Sequence, residues 1–378
     1  MTSDFGFPSA SAFATLPPMH QRIGILTGGG DCPGLNAVIR AVVKTASKRG
    51  WETLGFLGGF EGMLEPLSYR PLDYKEMDAL LFVGGTVLGT TSRGRFAAKT
   101  GHGQPNQVPG GILDQAKAGF HELGLRALVC VGGDGSLSIA QQLFEHGVPI
   151  VGVPKTIDND LDATDQTFGF DSAVACATDA LDRLRTTAQS HDRVMVLEVM
   201  GRYAGWIAVH AGISGGGDVI LIPEIPFRIE SVCGKIAERE REGKRFTLVV
   251  VAEGAREQGR DYVTAAGPEQ NREARLGGVG AVLAAQIQER TGKETRVCVL
   301  GHLQRGGAPT SFDRLLCTRF GAHAVQLIAE QKYGCMTALQ FPDTVAVKIS
   351  DAVGRLRTVP PDGNIVHTAR TLGISFGD

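Results

Sequence analysis

Residues 132–136 (GGDGS) combine glycines, a carboxylate and a hydroxyl directly after an apolar run at 127–131. A short apolar run that ends in glycines indicates a buried strand that turns into the start of a helix. Glycines at that point let the backbone approach a phosphate closely, and the N–H groups of the helix point at the anion. The Asp134 carboxylate would suit a divalent metal, above all Mg²⁺. The sequence therefore predicts a phosphate site with Mg²⁺ at this turn.

Two further glycine-rich stretches follow predicted strands. Residues 28–34 (GGGDCPG) precede a helix at about 35–49, but they match neither the GxxxxGK[ST] nor the GxGxxG phosphate motif. A tight turn explains this stretch about equally well. The other stretch, 84–94, follows a predicted strand near 80–83 and contains Arg93, which could bind phosphate through its guanidinium fork. A solvated loop arginine is the ordinary interpretation of that residue.

Two carboxylates stand close together in residues 154–160 (PKTIDND), after a predicted strand at 149–153. In an irregular turn at the end of a strand, Asp158 and Asp160 could act as a general base with an orienting or metal-linked partner. An isolated stretch of this kind is more often only a turn. Because ligands of such sheets bind at the carboxyl ends of the strands, its place beside the phosphate turn favours the functional interpretation.

The second half of the chain repeats the alternation of strands, helices and polar strand ends. We expect a helix at about 172–188 and strands at 193–199, 219–222, 247–252 and 296–300. Four arginines and one histidine accompany these elements: Arg193, Arg202, Arg296, Arg305 and His302. A surface ion pair explains any one arginine, but the set predicts an anion site for a phosphorylated, hydroxylated substrate. The alternation itself predicts parallel α/β sheets with ligands at their carboxyl edges.

Length and composition limit the classes of protein that remain. A chain of 378 residues is long for one core, so two domains are expected. Its net charge of −2 gives no electrostatic argument for nucleic acid or an anionic membrane. The 7 cysteines include no CxxC pair, which is typical of reduced thiols in a cytoplasmic protein. No apolar run reaches the length of a membrane span, and residues 1–20 are expected to form a flexible extension rather than a signal peptide.

Six motifs together carry a family resemblance: GGGDCPGLNAVIR, GGDGS, PKTIDND, MGRYAG, PEIPF and GHLQRGG. In this order and spacing the chain resembles the phosphofructokinase family, which phosphorylates fructose 6-phosphate at its 1-hydroxyl. The resemblance implies two similar Rossmann-like three-layer α/β domains with mostly parallel sheets and the active site in the cleft between them. A phosphoryl-donor domain for ATP and Mg²⁺ would comprise 21–168 and about 303–352. The sugar-phosphate domain would comprise 169–302, and about 353–378 would form a C-terminal tail.

The resemblance also implies roles for individual residues at the donor side. Asp158 would be the general base, with Arg202 and Thr156 as its catalytic partners. Asp134 would bind Mg²⁺. The phosphoryl donor would be held by Gly30, Arg93, Gly94, Gly133, Asp134, Gly135, Ser136 and Lys155.

A larger set would bind the sugar phosphate. Its members are Thr156, Asp158, Arg193, Met200, Gly201, Arg202, Glu253, Arg296, His302, Leu303, Gln304 and Arg305. Arg193 and Arg296 match arginines that in the family reach across from a neighbouring subunit to the 6-phosphate. The resemblance therefore implies a homo-oligomer, usually a homotetramer.

Two positions bear on the phosphoryl donor, and they disagree. Pyrophosphate-using members of the family usually carry a second aspartate after the metal-linked one and a lysine before the TIDND run, whereas well-known bacterial ATP enzymes carry glycine at both positions. Here Gly135 is of the ATP kind and Lys155 of the pyrophosphate kind. Glycine leaves room for the α-phosphate of a nucleotide. We therefore favour ATP, with a pyrophosphate-dependent phosphotransferase as the alternative.

Other functions remain to be weighed against a glycolytic kinase that converts fructose 6-phosphate and MgATP to fructose 1,6-bisphosphate and ADP. Lipid and NAD kinases also use a GGDG turn, but they lack the TIDND and GHLQRGG stretches. A catalytically silent subunit that only binds sugar phosphate would be expected to have lost Asp134, Asp158 or Arg202, and all three are present. The kinase is the favoured interpretation.

The family's effector site gives a mixed prediction on allosteric control. Arg40, Arg185 and Lys244 match basic residues of enzymes that ADP and phosphoenolpyruvate regulate. Lys44 replaces an arginine, however, and Glu242 replaces a lysine. Because a reversed charge weakens an anion site, we expect altered or absent activation by ADP. A clear rise in the affinity for fructose 6-phosphate on adding ADP would contradict this hypothesis.

Overall fold

Two large β-sheets covered by helices make up most of the described part of the chain. The computed structural model describes residues 21–91, 94–96, 107–266 and 275–378. Its strands are Arg22–Thr27 (β1), Glu52–Phe56 (β2), Tyr69–Pro71 (β3), Leu125–Gly132 (β4), Ile150–Pro154 (β5), Val194–Val199 (β6), Val219–Leu221 (β7), Thr247–Ala252 (β8), Thr264–Ala266 (β9), Arg275–Leu276 (β10), Thr295–Val299 (β11), Cys335–Gln340 (β12) and Asp343–Lys348 (β13). Its α-helices are Leu35–Lys48 (α1), Gly110–Glu122 (α2), Asp134–Glu145 (α3), Phe170–His191 (α4), Trp206–Ser214 (α5), Ile229–Arg241 (α6), Val279–Thr291 (α7), Ser311–Ala329 (α8), Ile349–Ala352 (α9) and Asn364–Thr371 (α10). Short 3-10 helices occupy Gly59–Met63, Tyr74–Phe82 and Gly301–Arg305.

Within the described residues, the first sheet has seven strands in the order β13-β12-β5-β4-β1-β2-β3. The central strands pair in parallel, whereas the edge strands β3 and β13 are antiparallel to their neighbours. β4 and β5 are apolar and almost fully buried, as expected for parallel strands that helices cover on both faces. Because β4 lies between β1 and β5, the turns that follow these three strands are neighbours at the carboxyl edge.

The second sheet has four parallel strands in the order β11-β6-β8-β7, again within the described ranges. β6 and β8 are buried along their whole length, and α4, α5 and α7 pack against them. β9 and β10 form a separate antiparallel pair. The structure confirms the predicted fold class of two mostly parallel α/β sheets.

The strand expected near 80–83 is wrong, because this stretch ends the 3-10 helix Tyr74–Phe82. The Asp73 side chain accepts a hydrogen bond from the N–H of Lys75 at 2.9 Å and so caps the start of that helix. Phe82 and Val83 are 54% and 47% exposed. A short apolar run does not by itself distinguish a strand from a helix, and here its residues form surface rather than the interior of a sheet.

The two sheets are built from different parts of the chain. Strands of the first sheet lie between residues 22 and 154 and between 335 and 348, whereas those of the second lie between 194 and 299. Residues after 352 cross to the second sheet, where the N–H of Ile220 donates to the carbonyl of Ser375 at 2.9 Å. The domain boundaries expected near 168, 302 and 352 stay a prediction.

Three other expectations concern membrane spans, the N-terminal extension and the cysteines. No helix in the described ranges is both long and apolar enough to span a membrane. The extension expected at 1–20 lies outside the described residues. The cysteines are all free, and burial raises the pKa of the Cys32 and Cys130 thiols to about 12.

Candidate active site

The turns after β1, β4 and β5 meet at the carboxyl edge of the first sheet. The N–H of Gly28 donates to the carbonyl of Val131, and the N–H of Lys155 donates to the carbonyl of Gly132, both at 2.9 Å. Ser136 is buried against the first turn, where a Cβ on Gly28 would clash with its hydroxyl. The structure therefore brings together the glycine turn of β1, the GGDGS turn and the TIDND loop.

Arg305 reaches this edge from the 3-10 helix Gly301–Arg305. A side chain at Gly30 would clash with Nη1 of Arg305, so the guanidinium lies directly on the backbone of the first turn. A second close approach joins the same regions, because a Cβ on Gly84 would clash with the carbonyl of Gly307. These glycines allow the segment after β11 to pack closely on the glycine turn of β1 and on the backbone at Gly84.

Asp158 lies in the TIDND loop, where the charges of Arg305, Lys155 and Glu253 reach it. Burial, together with the charges of Asp160 and Glu253, raises its pKa to about 7, although Arg305 and Lys155 act to lower it. Its Oδ1 atom is buried and has no hydrogen-bond partner among the described residues. A carboxylate with a pKa near neutrality and an unpaired oxygen is suited to accept a proton from a substrate hydroxyl.

Lys155 connects two of the three turns. Its side chain is buried, with 6% of the residue exposed, and Nζ donates to the carbonyl of Gly30 at 2.6 Å. Burial lowers its pKa, the nearby Cys32 thiol and the carboxylates of Asp160 and Asp158 raise it, and Arg305 lowers it. Lys155 therefore links the TIDND loop to the glycine turn of β1.

Three segments around the second sheet meet on the other side of the site. The N–H of Met200 donates to Oε1 of the buried Gln304 at 3.3 Å. The N–H of Gly254 donates to the carbonyl of Gly201 at 3.1 Å, which joins the segment after β8 to the segment after β6. Because the charge of Glu253 raises the pKa of Asp158, these second-sheet segments lie near the first-sheet turns.

Two of the predicted arginines lie at the opposite end of the second sheet from Met200 in the same chain. Arg193 precedes β6 and Met200 follows it, so they are separated by about 23 Å of extended chain at ~3.3 Å per residue. Arg296 is aligned with Met195 near the same distant end. Both arginines pair with Glu294, Arg193 Nη2 at 2.8 Å from its Oε1.

The remaining predicted residues differ in their surroundings. His302 and Leu303 are exposed on the 3-10 helix that carries Gln304 and Arg305. Gly94 is exposed near the Glu61 carboxylate, with φ of 111°. Arg93 lies outside the described residues.

Asp134 could hold a divalent cation only if water and a bound phosphate supplied the other ligands. It is the first residue of α3, and its Oδ1 accepts a hydrogen bond from the N–H of Gly354 at 3.0 Å. The described residues contain no cluster of three or more histidine, cysteine or carboxylate groups that could bind a metal. Mg²⁺ commonly takes one or two carboxylates and completes its coordination with water and substrate phosphates. A single carboxylate beside a phosphate turn fits that requirement.

The residues predicted for effector binding lie in two places. Arg185, Lys244 and Glu242 line a cavity of about 440 Å³ beside the second sheet. Lys244 pairs with Glu242 at 3.0 Å, and Nη2 of Arg185 donates to the carbonyl of Gly216 at 2.8 Å. Arg40 and Lys44 belong to α1, beside the first sheet. The expected weak response to ADP stays a prediction.

Sequence reasoning missed the chain segment after α9. Gly354 contacts Asp134, and the N–H of Arg357 donates to the carbonyl of Asp160 at 2.9 Å. No motif in 353–360 signals these contacts, because both depend on residues almost 200 positions or more earlier in the chain. A lone arginine near the C-terminus has no local pattern that would single it out.

Two mostly parallel α/β sheets, with glycine turns and a buried carboxylate of raised pKa at the carboxyl edge of the first, define the class of protein as α/β with a cluster of polar strand ends. A family model described as Phosphofructokinase matches residues 22–328. The chain therefore belongs to the phosphofructokinase family, as the motifs predicted.

Named relatives and a solved structure support the same assignment. The chain is 54% identical over 358 residues to a Chloroflexus aurantiacus protein named ATP-dependent 6-phosphofructokinase, covering 95% of this chain and 98% of the relative. It is 51% identical over 344 residues to an Amycolatopsis methanolica protein named pyrophosphate–fructose 6-phosphate 1-phosphotransferase, covering 90% and 97%. The solved phosphofructokinase of Saccharomyces cerevisiae matches at 29% identity with a TM-score of 0.75, over 87% of this chain and 45% of the yeast chain. This chain thus spans less than half of that yeast chain.

Proposed function

We propose that this protein is an ATP-dependent 6-phosphofructokinase. It transfers the γ-phosphoryl group of ATP to the 1-hydroxyl of fructose 6-phosphate, and the products are fructose 1,6-bisphosphate and ADP. The observation that carries this proposal is Asp158, whose buried and unpaired Oδ1 stands among three turns suited to phosphate, with a pKa of about 7. The free thiols support a cytoplasmic location for this step of glycolysis.

The residues of the site divide the work of phosphoryl transfer. Asp158 takes the proton from the attacking 1-hydroxyl, and its N–H is anchored on Oγ1 of Thr156 at 3.1 Å. The backbone of 133–136 cradles the donor phosphates, and Arg202 stabilises the charge on the transferring group. Asp134 would hold Mg²⁺, which supplies neutralisation of the phosphate charge. Met200, Gly201, Glu253 and the helix Gly301–Arg305 position the sugar phosphate.

The surroundings of Gly135 and Lys155 support ATP over pyrophosphate. Gly135 is exposed, and a Cβ added to it would meet no atom within 4 Å, so the space beside the turn is open to a nucleotide. Nζ of Lys155 is engaged with the carbonyl of Gly30, which gives this lysine a bracing role that is compatible with either donor. Pyrophosphate remains the alternative, since relatives of both names share about half of the sequence.

A second copy of the chain would complete the substrate site. Arg193 and Arg296 are remote from Asp158 within one chain, as the geometry of β6 and β11 requires. In the described residues, β11 pairs only with β6, and Val297 and Val299 on this edge strand are 37% and 56% exposed. These features support a homo-oligomer in which each subunit supplies both arginines to the 6-phosphate of its neighbour, with a tetramer as the expected form.

Parallel assays with the two donors test the proposal. Formation of fructose 1,6-bisphosphate is measured with fructose 6-phosphate and Mg²⁺, adding ATP in one series and pyrophosphate in the other. We expect turnover with ATP, and we expect Gly135→Asp to reduce ATP use far more than pyrophosphate use because its carboxylate would repel the α-phosphate. Turnover with pyrophosphate alone would establish the alternative donor, and inactivity with both would support the silent subunit.

A further inference from the structure

The C-terminal strap, defined as residues 353–360, crosses from the first sheet to the second. It begins after α9, where the N–H of Gly354 donates to Asp134. It then runs beside the TIDND loop, with Leu356 forming an antiparallel bridge to Leu161. At its far end the N–H of Val359 donates to Oε1 of Glu224 at 2.8 Å. The strap therefore touches both halves of the site.

Arg357 makes the contacts of the strap with the catalytic loop. Its backbone N–H donates to the carbonyl of Asp160 at 2.9 Å, and its Nη1 donates to the carbonyl of Asp165 at 2.7 Å. Both carbonyls belong to the loop between β5 and α4, which also carries Asp158. A charged guanidinium bound to backbone carbonyls gives stronger hydrogen bonds than a neutral donor would. Arg357 thus fixes two points of the loop within a few residues of the general base.

The same arginine contacts the second-sheet side through Trp206. Its guanidinium lies over the indole ring, 4.9 Å from the centroid, and Nε1 of Trp206 donates to the carbonyl of Arg357 at 2.9 Å. Trp206 is only 8% exposed and is the first residue of α5, directly after the 200–205 segment that carries Arg202. Glu224 also accepts from the N–H of Gly205 at 3.0 Å, so the strap is linked to the carboxyl-terminal end of this segment both through Trp206 and through Glu224.

We propose that Arg357 is a positioning residue for phosphoryl transfer. In the described ranges no strand of one sheet pairs with a strand of the other, so the relative position of the two sheets depends on loops and side chains. Arg357 joins the loop of Asp158 to the helix that follows Arg202, and so sets the distance between the base and the charge that stabilises the transferring group. This inference rests on the proposed function, because both residues are assigned through it.

Removal of the guanidinium is expected to lower kcat rather than substrate affinity. Arg357→Met keeps the length of an apolar stem but loses the bond to Asp165 and the contact of the cation with Trp206. A small displacement of reacting groups costs about ten- to a hundredfold in rate, so we expect a fall in kcat of about that size. The KM values for fructose 6-phosphate and ATP should change little, since the Arg357 side chain contacts Asp165 and Trp206, neither of which is assigned to substrate binding. Arg357→Lys retains the positive charge and should recover part of the rate.

Arg355 offers a matched control on the same strap. Its side chain is 85% exposed, and its ion pair with Asp162 is long, at 3.6 Å. Arg355→Met removes the same charge two residues away from Arg357 without touching Trp206. We expect kcat for this variant to equal that of the wild type. An equal fall in both variants would show that only the net charge of the strap matters and would overturn the proposal.

Trp206 provides a readout that does not depend on activity. The chain has 2 tryptophans, so Trp51→Phe leaves Trp206 as the single fluorophore. In that background, Arg357→Met should shift the emission of Trp206 and Arg355→Met should not. Binding of fructose 6-phosphate, measured by calorimetry, gives the fraction of folded sites by which kcat is normalised.

The outcomes separate this proposal from the proposed function. An unchanged kcat in Arg357→Met, or a fall fully accounted for by lost binding sites, would overturn the positioning role while the wild type remained a kinase. A wild type inactive with both donors would instead refute the proposed function. If Arg357→Met fails to fold, Arg357→Lys and Trp206→Phe take its place. The phenyl ring lacks the indole N–H that binds the carbonyl of Arg357, and it gives the guanidinium a smaller ring to lie over. Wild-type kcat in both of these would overturn the proposal.

Discussion

Burial and charge together determine the pKa of Asp158. Burial is the largest cause of its rise to about 7, and the neighbouring carboxylate of Asp160 is the next. Arg305 and Lys155 limit the rise by favouring the charged form. A general base works best with a pKa near the working pH, because it must be ionised and still attract a proton. Asp158 meets both conditions at neutral pH.

The role of Asp158 can be tested by replacing its carboxylate with an amide. Asp158→Asn should lower kcat by about a hundredfold or more, because the amide cannot accept the proton of the 1-hydroxyl. Binding of fructose 6-phosphate, measured by calorimetry, should be nearly intact. Asp162→Asn, on the same loop, is the control and should retain wild-type kcat. If Asp158→Asn turns over at the wild-type rate, the base is another group.

The same carboxylate predicts the pH dependence of the free enzyme. Asp158 must be deprotonated to act, so kcat/KM for fructose 6-phosphate should fall as the pH drops below about 7. Asp160→Asn removes a negative charge that raises the pKa of Asp158. The acid limb of the profile should therefore move to lower pH in this variant and stay in place in Asp162→Asn. A limb that stays fixed in Asp160→Asn would mean that Asp158 does not control it.

The starts of α4 and α8 are joined by a buried polar cluster. Asp313 is fully buried, and its Oδ2 accepts hydrogen bonds from the N–H of Ser172 at 2.9 Å and from its hydroxyl at 2.6 Å. The N–H of Thr310 donates in turn to Oγ of Ser172 at 3.0 Å. Helix α4 follows the TIDND loop, and α8 follows the helix that carries Arg305. This cluster therefore links the helix after the TIDND loop to the helix after Arg305.

Loss of the Ser172 hydroxyl should destabilise the fold. Ser172→Ala removes two hydrogen bonds around a buried carboxylate, at an expected cost of about 1–3 kcal/mol. Burial raises the pKa of Asp313 to about 6 and the Ser172 bonds lower it, so the loss should be larger at pH 8, where the group is ionised, than at pH 5.

The urea midpoint, measured at one protein concentration, reports this difference. Ser190→Ala, on the exposed last turn of α4, is the control because its hydroxyl donates to the carbonyl of Thr186 within its own helix. Equal midpoints for the two variants would show that the Ser172 cluster contributes nothing specific.

The whole molecule is incomplete as a single chain if Arg193 and Arg296 bind substrate. Both lie at the amino-terminal end of the second sheet, and the site lies at the carboxyl end. Among the described residues β11 pairs only with β6, and its exposed valines belong to a surface through which a second copy could bring these arginines to the site. Closed two-fold interfaces of this kind are the commonest in soluble oligomers.

Mixed oligomers test the sharing of sites between subunits. Asp158→Asn and Arg296→Ala should each be nearly inactive, because one lacks the base and the other lacks a phosphate ligand in its neighbour's site. When the two are unfolded together and refolded, hybrids contain some sites with both groups intact. Activity should then rise well above that of either variant refolded alone. No recovery in a mixture that chromatography shows to be oligomeric would mean that each chain uses its own arginine.

Much of the fold was predictable because its signals are local. Buried runs such as 127–131 and 149–153 became β4 and β5, and glycines marked the turns that follow them. The run at 80–83 gave a wrong strand, because an apolar stretch of four residues fits either a strand or a turn of helix until its burial is known. The position of Asp158 after a strand also followed from the sequence, but its pKa did not, since that depends on residues as distant as Glu253 and Arg305.

The sequence by itself determined the family, the parallel α/β class and the residues at the strand ends, because motifs, apolar runs and turn residues act over a few neighbours along the chain. Only the tertiary structure decided that Arg305 packs on Gly30, that Arg193 lies about 23 Å of extended chain from Met200, and that Arg357 joins the loop of Asp158 to Trp206. These relations depend on the order of strands in a sheet and on the path of the chain between two sheets. Contacts between residues more than a hundred positions apart leave no periodic pattern in the sequence, whereas burial and charge make them decisive in the folded protein.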